Sequence, residues 1–360
     1  MVTVLHVIPT LEGGGAERQL SMLAAEQARR GIDVHVAIRR GGVHAQAMRD
    51  RGVQLHELGN LRSVNPRLFL AIRRILKGLK PAIVQTWLPQ MDIVGGLAAL
   101  RSHTPWIVTE RSSREHYAEI PSVARLRLLL GGFASAVVAN SDGGKDYWQA
   151  TTGRPIKLAT IGNALDFQTI QEAEPLSTQS FAGPLLLVVG RLVREKALDV
   201  IVRAVSNLAG DGAVNVVMIG EGPHLPAIEK EIEAASLSAR FTILPYQPDW
   251  WRWLKIADGL ISMSRYEGNP NVVLEAMAGG CPVILSDIPA HREVADASSA
   301  VFIPVDDVQA LSTAIAEFIA NKGTALRRAK CASGRVGSMT VTAMADAYDA
   351  VYKDVLNGKS

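Results

Sequence analysis

Cysteine and aromatic side chains are both scarce in this chain. Cys281 and Cys331 are the only cysteines in 360 residues, and Phe, Trp and Tyr together make up 5%. Two cysteines that far apart form no metal-ligand spacing and give no reason to expect a disulfide, so a disulfide scaffold and a zinc module are excluded and a reducing cytoplasm is the default. No stretch approaches the ~20 uninterrupted apolar residues of a membrane-spanning helix. The start, MVTVLHVIPT, is a short β-type run without a basic leader or cleavage site, so no secretory signal is expected. Eight histidines are scattered with none in a metal-type pair. G-x-S-x-G, Walker A and D-x-D patterns are all missing. Metal-assisted and serine-triad chemistry therefore have no support, and no metal or cofactor is expected.

Charge is close to balanced overall but unevenly spread. The net charge is +3; residues 1–180 hold 21 Lys/Arg against 15 Asp/Glu, and the remainder 17 against 20. A basic first half suggests an anionic partner or surface there, with a solvated basic face as the plain alternative.

What the chain does have is a rhythm. Apolar runs at 2–8, 33–39, 53–58, 83–87, 105–110, 136–140 and 157–161 alternate with amphipathic stretches such as AERQLSMLAAEQARRG and NPRLFLAIRRILKGLK. The polar segment 171–184, QEAEPLSTQSFAGP, reads as a linker. The rhythm then restarts at 185–190, 214–220, 241–244, 259–264, 282–287 and 300–304. Short apolar strands separated by helices imply parallel sheets covered on both faces. The expected fold class is α/β: a first domain over 1–170, the linker 171–184, a second domain over 185–338, and a final amphipathic helix in 339–360 returning toward the first. At this length two domains with sizeable cores are possible. Ligands of such sheets bind at the carboxyl ends of strands, and two facing domains would offer a cleft.

The loops after the strands carry the candidate chemistry. Gly13-Gly14-Gly15 follow the first strand and precede a helix, where a backbone can approach a ligand beside the helix dipole's positive end. The spacing is not that of a dinucleotide fingerprint. Gly190-Arg191 and Lys196 frame the turn after LLLVV, where fixed cations can converge on an anion. Gly220-Glu221-Gly222-Pro223 follow VNVVMI. RYEGNPNVVLEAMAGG, residues 265–280, runs from a loop into an apolar helix that starts near Asn271 after Pro270 and stops at Gly279-Gly280. It sets Glu267 before the helix and Glu275 one turn inside, where both carboxylates can face one ligand across the N-terminus. Favour from the helix dipole is the simpler explanation for each. His6 and His35 sit in strand patterns and read as packed.

GRLVREK (190–196), IGEGPH (219–224) and ADGLISMSRYEGNPNVVLEAMAGGCPVILSD (257–287), followed by REV and PVDD, resemble the donor domain of retaining GT-B glycosyltransferases of family 4. GGGAER, the segment Gly162 to Asp166 and the last helix with Tyr348 and Tyr352 are similar to the same family over nearly the whole chain. The resemblance implies two Rossmann-like domains and transfer of a sugar from a nucleoside-diphosphate sugar, UDP the commoner, with retention. The acceptor would be a glycan or polyprenyl-diphosphate-linked lipid of polysaccharide or glycolipid assembly. It implies that Arg191 and Lys196 hold the diphosphate, Glu275 the ribose, and Glu267 the transferred sugar. Gly190, Glu221, Gly268, Asn269, Asn271 and Val272 would line the donor, Tyr246 would flank the base, and Gly14 and Gly15 would sit by the phosphates. The usual histidine after the fifth strand is replaced by Glu110-Arg111, with His116 further on; these three and Asn163 are the candidates for the reacting centre and acceptor. The loop Gly-Asn-Pro-Asn also departs from the usual Gly-Phe-Gly.

Arg67, Arg73, Arg74, Lys77, Lys80, Arg125 and Arg127 would then face an anionic membrane surface, on the inner face of the plasma membrane. Nothing points to nucleic acid. A nucleotide-sugar epimerase of the same fold and a silent sugar-nucleotide-binding module are the alternatives, since fold alone does not fix function.

Overall fold

The computed structural model describes residues 2–59, 65–176, 181–208 and 214–358. Every apolar run forms a strand. In order they are β1 (Thr3–Ile8), β2 (Asp33–Ile38), β3 (Gln54–Glu57), β4 (Ile83–Trp87), β5 (Trp106–Glu110), β6 (Ala136–Ala139), β7 (Leu158–Thr160), β8 (Leu185–Val189), β9 (Asn215–Ile219), β10 (Phe241–Leu244), β11 (Gly259–Ser262), β12 (Val283–Ser286) and β13 (Val301–Ile303). They form two sheets, ordered β3-β2-β1-β4-β5-β6-β7 and β10-β9-β8-β11-β12-β13, with every pair parallel. Parallel strands need helical crossovers that cover both faces, which explains why the strands lack an alternating polar side.

The chain divides into two compact units, Met1–Ala164 with Met339–Ser360, and Leu165–Ser338. The domain boundary therefore lies at 164, earlier than the expected 170. The short helix Phe167–Gln171, capped by the Asp166 side chain on Thr169 N, belongs to the second unit. Residues 177–180 of the expected linker lie outside the described residues.

In the first unit, the Gly15–Arg29 helix and the final Val341–Asn357 helix bury Leu20, Leu23, Ala24, Met344, Ala345, Tyr348 and Tyr352 against Val4, Ile8, Val34 and Val36. On the other face the Pro66–Leu79 and Pro89–Arg101 helices seat Leu68, Ile72, Leu76, Met91 and Ala98 with Trp106 and Trp148. Asn65 and Thr340 accept hydrogen bonds from Arg67 N and Ala343 N, capping two of these helices. The second unit packs Leu186, Val188, Ile201, Val216, Met218, Ile284 and Ile315 around its sheet.

One expected surface cation is not on the surface. Arg127 of the Pro121–Gly131 helix is 1% exposed and bridges Asp92 and Glu110 at 2.6 and 2.5 Å. The helix turns Arg125 out and Arg127 in, because residues two apart face different sides.

Candidate functional site

In the second sheet β8 and β11 are central neighbours from which the chain winds outward in opposite directions. This reversal of strand order is where open α/β sheets leave a crevice at their carboxyl edge. The loops that follow β8 and β9 meet beside it through their main chains. Gly190 N donates to Ile219 O (3.0 Å), Leu192 N to Glu221 O (2.8 Å) and His224 N to Leu192 O (3.0 Å). A side chain would not fit this approach: a Cβ on Gly220 would lie 1.9 Å from Gly190 O, and one on Gly222 2.2 Å from Leu192 O. Glu221 takes part through its carbonyl, while its side chain is exposed.

The turn Arg194–Lys196 sends Lys196 Nζ to Glu267 Oε1, which also accepts from Ser264 Oγ at 2.7 Å. Burial alone would push Glu267 up. The Lys196 charge and the bonds from Lys196 and Ser264 outweigh it and hold the carboxyl below the usual range. Arg265 pins the two loops together: its amide donates to Glu195 O at 2.8 Å, and its guanidinium reaches Asp306 at 2.8 Å, Asp199 at 3.4 Å and the Arg194 carbonyl. Gly190, Arg191, Lys196, Ser262 and Ser264 line a depression over Val188 and Ile261. Arg191 is mostly exposed and, among the described residues, pairs only with Glu195, at 2.9 Å, a contact that a ligand can displace at little cost.

Sequence reasoning passed over His291. It is fully buried, and its Nδ1 lies 2.8 Å from Ser286 O, which makes Nδ1 the protonated nitrogen and leaves Nε2 an acceptor 3.5 Å from Ser262 Oγ. Burial lowers its pKa, so it stays neutral behind the Lys196–Glu267 pair. No spacing rule in the sequence ties HREV to that pair.

The helix Asn271–Ala278 starts after Pro270, and Leu274 N makes its first bond to Pro270 O at 3.0 Å. The Asn271 amide, expected to face a ligand, instead donates to Asn269 O at 3.0 Å. The amides of Val272 and Val273 precede the first helical bond and are the donors left at that end. Gly268 and Asn269 are half-buried in the preceding loop. Glu275 is 1% exposed, and the Trp250 indole N–H donates to its Oε2 at 2.9 Å. This bond offsets part of the carboxylate's burial cost without any ligand. The cluster WWRW at 250–253 was a signal for it in an aromatic-poor chain. Tyr246 stands 43% exposed after β10.

In the first unit the glycine loop is occupied from within. Gly13 N and Gly14 N donate to Glu17 Oε2 at 2.7 and 2.6 Å, and Thr10 Oγ1 donates to Oε1. These amides, expected to face phosphates, are spent on Glu17, and Gly14 caps the helix that Gly15 begins. At the end of β5, Glu110 is fully buried and accepts from Tyr117 OH (2.7 Å), Ser112 N (2.8 Å), Trp148 Nε1 (2.8 Å) and Arg127 Nη1. All four donors come from the first unit itself, so the carboxylate expected near the reacting centre is engaged within the fold. Arg111 Nη2 donates to Asn163 Oδ1 at 2.6 Å, and the Gln19 amide holds Ala164 next door through bonds of 2.8 and 2.9 Å. His116 lies on the Arg114–Glu119 helix with its ring against Tyr117 at 5.7 Å. The structure thus joins Arg111 to Asn163, and Lys196 to Glu267 and Ser264.

Among the described residues no group of three or more His, Cys, Asp or Glu is arranged to hold a metal ion. No helix of the described residues is long and apolar enough to cross a membrane.

Comparison with known proteins places this geometry. Residues 13–169 match the family described as Glycosyltransferase Family 4, and residues 177–334 match Glycosyl transferases group 1. The lipopolysaccharide core biosynthesis glycosyltransferase LpsE of Rhizobium meliloti is 23% identical over 346 residues, 93% of this chain and 94% of that protein. The lipopolysaccharide core biosynthesis mannosyltransferase LpcC of Rhizobium leguminosarum is 29% identical over 175 residues, 46% of this chain and 50% of that protein. Among solved structures, Anabaena HepE in complex with UDP-glucose superposes with a TM-score of 0.87 at 16% identity, over 98% of this chain and all of that one. Sucrose-phosphate synthase of Thermosynechococcus elongatus does so with a TM-score of 0.85 at 18% identity, covering 99% and 100%.

Proposed function

The chain belongs to the group 1, family 4 glycosyltransferases of GT-B fold, and from that premise we propose that it transfers a sugar, with retention, from a UDP-sugar to a glycan or lipid-linked acceptor in bacterial polysaccharide or lipopolysaccharide assembly. The observation that carries the reading is the Lys196–Glu267–Ser264 contact at the β8/β11 switch point. Departure of a nucleoside diphosphate concentrates negative charge on its β-phosphate. Lys196, the exposed Arg191 and the Val272 and Val273 amides are the positive groups at hand to stabilise it, so no metal is needed.

Glu267 has a second role in this reading. One carboxylate oxygen orients Lys196, and the other is left to accept a hydroxyl of the transferred sugar. Holding Glu267 anionic keeps that acceptor available at neutral pH. Glu275 receives the ribose, with Trp250 keeping its carboxylate oriented. Among the described residues no side chain is placed as a covalent nucleophile, so retention in this reading goes with same-face attack assisted by the leaving phosphate. UDP as the nucleotide is supported by HepE, whose structure holds UDP-glucose. The epimerase alternative gains nothing from the matched families, both of which are glycosyltransferases.

The test is release of nucleoside diphosphate from a panel of UDP-, GDP- and ADP-sugars. UDP release by the wild type is expected, and Lys196→Ala should lower kcat/KM roughly 10²-fold or more. An epimerised sugar nucleotide with no diphosphate released would overturn the reading.

A further inference from the structure

Two arginines of the first unit carry a buried nitrogen without an acceptor, Nη2 of fully buried Arg127 and Nε of half-buried Arg111, and their counter-ions differ. Arg127 lies between two carboxylates, Asp92 and Glu110, with the rings of Tyr117 and Trp148 about its guanidinium at 5.1 and 4.9 Å. Arg111, on the loop after β5, makes no ion pair among the described residues. Its guanidinium stacks 5.3 Å from the Trp87 ring and gives Nη2 to the neutral Asn163 amide, while its buried Nε has no acceptor. The adjacent Glu110 is fully committed to four other donors. Two further buried atoms without a partner, Ser113 Oγ and Asn140 Oδ1, belong to the same loop and to the end of β6, where Asn140 N binds Glu110 O at 3.0 Å. Burial presses Arg111 below the ordinary arginine value, with Tyr348 and Glu110 pulling the other way, and an arginine so placed still keeps its proton.

A cation that buries its Nε without a counter-ion costs the fold part of its hydration; an apolar residue of similar volume would pack there at lower cost. Folding alone therefore gives no reason for Arg111, and its donor fork matches an oxyanion. We propose that Arg111, oriented by Asn163 and Trp87, is the anion-binding residue at the carboxyl edge of the first sheet, and that it takes a phosphate-class oxyanion of the substrates. The proposal rests on the glycosyltransferase reading. The oxyanion belongs either to the donor's diphosphate or to a phosphate carried by the acceptor.

The experiment titrates UDP and inorganic pyrophosphate into the wild type, Arg111→Gln and Arg111→Lys, and records the thermal transition of each ligand-free protein alongside Arg127→Gln. If the anion is the donor's, R111Q weakens UDP roughly tenfold or more, and pyrophosphate competes with UDP on the wild type. If it is the acceptor's, UDP binding is unchanged, and pyrophosphate binds the UDP-saturated wild type but not UDP-saturated R111Q. Arg111→Lys should retain part of either effect. Ligand-free R111Q is expected to melt at or above the wild type, whereas R127Q, which strands two carboxylates, melts lower. Equal responses of wild type and R111Q to both probes, or a fall in the R111Q transition like that of R127Q, would overturn the proposal. Failure of the underlying reading looks different: the wild type would then neither bind UDP nor release a nucleotide, while the pyrophosphate arm would still report on Arg111.

Discussion

Consecutive residues can have opposite fates, and Glu110 and Arg111 are a case. Strand alternation turns the Glu110 side chain into the layer of Arg127, Tyr117 and Trp148, whereas Arg111 leaves the strand into the loop. His6 shows the same dependence on surroundings. The Trp87 indole donates to its Nδ1 at 3.2 Å and Nε2 meets Gln27 Oε1 at 2.9 Å, so the imidazole is neutral. Gln27 then binds Tyr352 at 3.1 Å, Tyr352 binds Gln85, and Gln85 binds Thr109 at 3.0 Å. Burial pushes His6 down to about 4, opposed by the Gln27 bond. The unfolded chain, with an ordinary histidine near 6.5, takes up this proton first as pH falls. Stability contributed by neutral His6 is therefore intact above about pH 6.5 and lost toward pH 4, by up to roughly 3 kcal/mol. In His6→Gln, urea unfolding of the first unit should show a flatter pH dependence between those limits. A slope equal to the wild type's would mean that His6 does not titrate with folding.

Among elements, the loops after β8 and β9 depend most on main-chain contact. Gly220 has φ 148°, and its α-hydrogen points at Gly190 O, where a Cβ would be 1.9 Å away. Gly220→Ala must therefore push the loop after β9 away from the loop after β8, which presents Gly190, Arg191 and Lys196. A loss of 3 kcal/mol or more in the second unit's stability and a raised KM for the donor are expected. Gly78→Ala, exposed in a helix with nothing within 4 Å, is the control and should be neutral or stabilising by up to ~1 kcal/mol. Chemical denaturation followed by donor titration would separate the two effects. Much of this element-scale order was legible in advance. All thirteen strands follow from apolar runs between turn signals, because strands buried on both faces leave no other pattern. The exact close approach of Gly220 to Gly190 was not, since it pairs residues thirty positions apart.

At the scale of the molecule, the uneven charge has a partial structural counterpart. Arg67, Arg74, Lys77, Lys80 and Arg125 are exposed in the first unit, together with Leu70, Leu126, Leu129 and Phe133. Basic side chains beside protruding apolar ones suit an anionic bilayer surface, as proposed from the sequence. Flotation with vesicles should recover the protein with anionic lipid and not with neutral lipid, less so at high salt. Leu126→Ser with Leu129→Ser should reduce recovery several-fold. Equal recovery with neutral and anionic vesicles would remove membrane binding from the functional reading.

The sequence by itself determined the α/β class, the two sheets and the candidate loops, because strand burial and turn chemistry are local and leave a periodic trace. It also carried the family motifs that mark Lys196, Glu267 and Glu275. What a side chain meets across the fold was left to the tertiary structure. That Trp250 serves Glu275, that Glu17 fills the amides of its own glycine loop, that Arg127 is buried between carboxylates and that Arg111 has none are all outcomes of long-range packing. Charge and burial act over a few ångströms in space, and residues far apart in the chain supply both.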